Sequence, residues 1–193
     1  MYKLFPLLCF VFLFAKSVES QTSDSTKVNS FEQQFSDSIA QINAKNEHLK
    51  ASRDAYNEGL ILLKNKNYSE AIPYFTKAIG IDSIFFQAYL SRAKCYEKSD
   101  DNLAIADYLK TFGLDSTNFF PLYAVGSLYL KTNKALAIEV YTTILSLKGD
   151  EHKALNQLGI IAFIDEKHED AKKLFTQSLQ VNINAYTLND RGS

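Results

Sequence analysis

The chain has 193 residues, 21 Lys and Arg against 22 Asp and Glu, a net charge of −1, and 46% hydrophobic residues. That balance excludes the strongly basic face a nucleic-acid binder needs, and the apolar fraction excludes a disordered chain. With only 7 Gly and 3 Pro, too few for the turns of an all-β protein, an all-α fold is expected.

The N-terminus reads as an export signal. Leu4 to Ala15 is an unbroken apolar run behind Lys3. In a helix its twelve residues span roughly 18 Å, against the ~30 Å of a bilayer core. A cleavable secretory signal over 1–20 fits this better than a membrane anchor, and Val18 and Ser20 supply the small residues of a cut after Ser20. A cut using Ala15 and Ser17 is the alternative. The expected location of the mature chain is the periplasm or the exterior, with no integral membrane span. Cleavage removes Cys9 and leaves Cys95 alone, so no intramolecular disulfide is available.

Residues 21–30 are polar and without periodicity, and read as a tether. Phe31, Phe35, Ile39, Ile42 and Leu49 follow at helical spacing. Residues 31–51 are therefore expected to form a helix that covers the open edge of the next element; a dimerisation helix is the other reading.

From residue 52 onward the chain repeats. A small residue recurs at Gly59, Ala93, Gly126, Gly159 and Gly192, at intervals of 34, 33, 33 and 33. A second row, Ala71, Ala104, Ala137 and Ala171, carries an aromatic four residues later in each case: Phe75, Tyr108, Tyr141 and Phe175. Large apolar residues stand four before and three after the small one, as with Leu122 and Tyr129 around Gly126, which places them on one helical face. Each unit is thus two amphipathic helices joined by a short polar turn. The small residue permits their close approach and the aromatic fills the space above it. The units are 52–85, 86–118, 119–151 and 152–184, with a partial fifth at 185–193, giving nine or so helices and no strand.

This spacing, together with the stretch Tyr68-Ser69-Glu70-Ala71-Ile72-Pro73-Tyr74-Phe75, resembles the tetratricopeptide repeat. The resemblance implies a right-handed α-solenoid over residues 52 to 184. The chain departs from the family where Glu58, Arg92 and Arg191 replace a large apolar residue, and where Ser83 and Ser116 stand in place of the usual Pro; a Ser there can cap the next helix. The Phe-rich leader followed by Gln21 is similar to the export signals of Bacteroidetes-type bacteria.

No catalytic, metal or cofactor constellation is found. His48, His152 and His168 are scattered without a Cys or carboxylate at ligand spacing, Asp100 and Asp101 read as solvated turn residues, and there is no phosphate loop or nucleophile elbow. The expectation is a non-enzymatic protein that needs no cofactor.

In tetratricopeptide solenoids one face of each first helix lines a concave groove. By resemblance, that face carries Arg53, Tyr56, Leu60 and Lys64; then Gln87, Leu90, Lys94 and Lys98; then Phe120, Tyr123, Ser127 and Lys131; then Lys153, Asn156, Ile160 and Ile164. The row Lys64, Lys98, Lys131 points to an acidic ligand or one that ends in a carboxylate. Each of these lysines also lies near a helix C-terminus, where the dipole alone favours it by ~0.3 to 1 kcal/mol. The Lys and Asn pair that the chaperone-binding branch of the family uses is missing, since Tyr56 and Leu60 occupy those positions. The function expected is a scaffold that binds a protein or peptide; the alternative is the sensor domain of a longer signalling receptor.

Overall fold

A computed structural model describes residues 25–149 and 151–190, so the leader at 1–20 and Gly192 lie outside the described residues. The chain divides into two compact units between Lys50 and Ala51. Eight helices follow in order among the described residues, without a strand: α1 Ser25–Lys64, α2 Tyr68–Ile81, α3 Phe86–Tyr96, α4 Asp101–Leu114, α5 Phe120–Thr132, α6 Lys134–Lys148, α7 His152–Ile164 and α8 His168–Asp190.

Two joints present in the sequence reading are absent from the structure, which is why eight helices stand where nine or so are expected. First, α1 begins at Ser25, inside the 21–30 segment read as a tether, and runs 40 residues to Lys64. No Pro occurs between Gln21 and Lys64 to stop it. Within the first unit its exposed residues include Ile42, while Phe35, Ile39 and Leu49 are half-buried. Second, α8 runs 23 residues through the boundary placed at 184. The earlier second helices end at Asp82, in extended conformation, at Asp115, or at Gly149 with φ of 71°. Val181-Asn182-Ile183-Asn184 offers no such stop.

The unit from Ala51 onward is built by nearest neighbours: from α2 to α8, each helix packs chiefly against the next along the chain. Close approach at the small residues is the reason. A Cβ placed on Gly59, Gly126 or Gly159 would lie 2.7 Å from the ring of Phe75, Tyr141 or Phe175 respectively, closer than carbon atoms tolerate. Ala93 and Tyr108, both fully buried, share a cluster that runs from the second repeat into the third through Val125 and Leu128. The Ala71, Ala104, Ala137 and Ala171 row is buried throughout.

The turns use acids where serines were expected. Asp100 caps α4 by accepting from the amides of Asn102 and Leu103. Asp82 accepts from the amide of Ile84, and Asp115 from the amide and hydroxyl of Thr117. A carboxylate satisfies these orphan N–H groups as well as a Ser hydroxyl does. Ser83 and Ser116 therefore do not cap the following helices, which begin after Phe85 and Phe119 without a side-chain cap bond.

Arg92, which stands where the repeat usually carries a large apolar residue, is half-buried. Its guanidinium donates to both carboxylate oxygens of Asp107, at 2.7 and 2.8 Å, and to the Thr76 hydroxyl at 3.0 Å. It also lies against the rings of Tyr89 and Tyr96. Three helices, α2, α3 and α4, thereby meet at one cation. Cys95 is fully buried, and burial pushes its thiol pKa up to about 11, so it is an inert packing residue.

Candidate functional site

Five of the residues placed on the groove face from their spacing come together around one cavity of about 540 Å³. Phe120, Tyr123 and Ser127 reach it from successive turns of α5, and Lys153 and Asn156 from the first turns of α7. Pro121 at the start of α5 sets the entry of that helix without losing a needed donor. Phe120 is 49% exposed, with the Lys94 ammonium 5.6 Å from its ring centroid and the Tyr108 ring edge-on at 6.3 Å. Lys94 is thus held against the Phe120 ring by a cation–π contact.

Tyr123 serves two roles. Its ring lines the cavity and also packs on the cluster of Leu122, Tyr141 and Ile144. Its hydroxyl is buried without a hydrogen bond of normal geometry, and burial together with the nearby Glu151 carboxylate raises its pKa. Glu151 is itself 7% exposed. Burial pushes its carboxyl up, but Lys148, 2.6 Å away, together with the Tyr123 hydroxyl and His152 more than offsets this, so its pKa falls below the usual value. Its charge is therefore neutralised within the protein.

The remaining predicted positions do not join this cavity. Tyr56 is a packing residue: its ring sits 4.8 Å from Phe85 and 5.7 Å from Phe75, and the groove role assigned to it is corrected here. Half-buried against these two rings, Tyr56 offers a ligand less area than a free anchor would. The lysine row is partly spoken for. Lys131 pairs with Asp101 at 3.2 Å, tying α5 to α4, and Lys98, in the turn after α3, lies 5.9 Å from the ring centroid of Tyr68 at the start of α2. Asp101 is thus an ion-pair partner rather than a solvated turn residue. Arg53, Lys64 and Gln87 are exposed away from the cavity, as are Ile160 and Ile164.

Spacing missed part of the wall. Tyr141 from α6, His152 and Gln157 from α7, and Ser178, Leu179 and Asn182 from α8 complete it. The α8 residues escaped because the groove face was read from first helices alone. No row in the sequence singled them out; the Ser178 hydroxyl donates to the His152 carbonyl at 2.8 Å, fixing α8 at the cavity edge. A second depression of about 370 Å³, floored by Ile138, Leu158, Ile161 and Leu174, contains none of the predicted groove residues.

Residues 55–85 match the family model described as tetratricopeptide repeat. Solved structures extend the likeness over most of the chain. The fold is a tetratricopeptide solenoid. A crystal structure of MamA is 20% identical, with a TM-score of 0.61, over 81% of this chain and 95% of that one. YrrB, described as a tetratricopeptide protein with an unusual peptide-binding site, is 19% identical with a TM-score of 0.55, over 72% of this chain and 73% of that one. The first tetratricopeptide domain of Spaghetti (RPAP3), solved with the HSP90 peptide SRMEEVD, is 21% identical with a TM-score of 0.51, over 60% of this chain and 93% of that one. No curated protein matches the chain by sequence. Among the described residues no helix is long and apolar enough to cross a membrane, and no group of three or more His, Cys, Asp and Glu is placed to hold a metal ion.

Proposed function

We propose that this protein is a non-enzymatic scaffold that holds an extended peptide segment of a partner protein in the groove between α5 and α7, after export from the cytoplasm. The observation that carries the reading is the cavity itself, where an exposed Phe120 stands among polar groups that a folded monomer has no need to gather there. An exposed aromatic flanked by amides and cations suits a peptide: the ring supplies apolar area, and Asn156 and Gln157 offer donors and acceptors to its backbone. YrrB and the Spaghetti domain support the reading, being structures of the same fold whose descriptions name a peptide.

The test is selection of binding peptides from a random library on the full chain, followed by titration against variants. Phe120→Ala should weaken the selected peptides by on the order of 2 kcal/mol, as loss of an aromatic anchor does. Its thermal melt should stay within a few degrees of the parent. Lys131→Ala should change affinity little, because its charge already answers Asp101. Peptides that bind Phe120→Ala as well as the parent place the binding face elsewhere.

Export is supported by the apolar run Leu4 to Ala15. N-terminal sequencing of the protein from its native host should begin at or near Gln21. An intact Met1 on protein from the cytoplasm would overturn it.

A further inference from the structure

The four equivalent aromatic positions of the repeats differ in one respect. Phe75 and Phe175 have no hydroxyl, and the Tyr108 hydroxyl donates to Glu97 within its own repeat. Tyr141 has a hydroxyl, is fully buried, and its oxygen has no hydrogen bond of normal geometry. The residue one repeat on from Glu97 is Leu130, which cannot accept. A Tyr kept where Phe would pack equally well, with its internal acceptor gone, is also the one that lines the cavity.

Its hydroxyl lies 3.0 Å from where a Cβ on Gly126 would sit, and therefore next to Ser127, whose side chain is exposed and lines the same cavity. Ser127 is the hydroxyl side chain that interacts with the Tyr141 hydroxyl. A Tyr hydroxyl donating to Ser127 Oγ leaves the Ser O–H to point outward, as a donor to whatever enters. Lys153, exposed, lines the same cavity with His152, and no carboxylate among the described residues lines it. The nearest acid, Glu151, is buried and paired with Lys148. The donors and the uncompensated charge thus call for an anion with an acceptor oxygen.

We propose that Ser127, oriented by Tyr141, and Lys153 together take the side-chain carboxylate of a Glu or Asp in the bound peptide, while Phe120 and Leu179 pack the apolar residue next to it. This rests on the groove reading above and adds the chemistry the groove selects. Ser127 and Lys153 touch the ligand; Tyr141 is a positioning residue that acts through Ser127.

The probes are two pools of end-capped decapeptides, random except for a central Leu-Glu in one and Leu-Gln in the other, so that only the charge differs. The full chain should bind the Glu pool about tenfold more tightly, the scale of one charge-assisted hydrogen bond. Lys153→Ala should abolish that ratio, and Ser127→Ala and Tyr141→Phe should each reduce it, all three leaving the melting temperature unchanged. A role for Tyr141 in packing alone would move the melt and not the ratio. If both pools bind equally and Phe120→Ala abolishes both, the carboxylate assignment is wrong and the groove reading stands. If neither pool binds, both fall.

Discussion

Gly126→Leu is expected to unfold the third repeat, with a loss of more than about 3 kcal/mol in chemical denaturation. The reason is geometric. A Cβ at this position would already lie 2.7 Å from Tyr141 Cζ, and a leucine adds three further carbons in the direction of a ring that is itself fully buried. The ring cannot move away, because Ala137 and Ile144 of the same helix are also fully buried. The two helices must therefore separate. In a structure held by nearest-neighbour contacts, one opened pair also strips its neighbours of a packing surface. Gly113 is the control: nothing lies within 4 Å of a Cβ there, so Gly113→Ala should stabilise by about 0.5 to 1 kcal/mol through helix propensity. Equal stability for Gly126→Leu and its parent would show that the seam is not where the glycine and tyrosine meet.

Asp107→Ala should cost about 3 kcal/mol, the scale of breaking a buried ion pair by removing one partner. Asp107 is 6% exposed and holds both ends of the Arg92 guanidinium, which bridges to Thr76 in the preceding repeat. Without the carboxylate, a half-buried cation keeps one hydroxyl partner and its desolvation cost. The double replacement Arg92→Met with Asp107→Leu should recover most of the loss, since it restores the apolar residue usual at the Arg92 position and removes the stranded charge. A denaturation cycle over the four proteins checks this. Should Asp107→Ala cost less than 1 kcal/mol, the pair is solvated and the bridge between the first two repeats does not depend on it.

The repeat was legible because its cause is local and recurs. Gly lies beneath Phe75, Tyr141 and Phe175, where a Cβ would clash, and Ala93 packs with Tyr108, so the two rows in register show which helices pair and at what height. Turn chemistry was legible as polar stretches but not in detail. Asp82 and Asp115 each sit one residue before the Ser assigned the capping role, and a carboxylate and a hydroxyl compete for the same amides on equal terms.

The cavity lining divided along a similar line. Helical phase put Phe120, Tyr123, Ser127, Lys153 and Asn156 on one face of successive first helices, and all five line the one cavity. Tyr56 was misplaced by the same argument: phase specifies direction, and only the packed neighbours Phe75 and Phe85 decide whether that direction meets solvent. The lysine row shows the limit again, since Lys98 and Lys131 find their partners, Tyr68 and Asp101, 30 residues earlier in the chain, across a repeat boundary that no local pattern crosses. By itself the sequence determined the helical class, the repeat length and the buried seam, all of which follow from interactions within one turn or one hairpin. The tertiary structure alone decided that α8 continues to Asp190, that it closes one side of the cavity, and that Tyr141 lacks the acceptor its counterpart Tyr108 possesses. Those outcomes depend on which side chains arrive from other repeats.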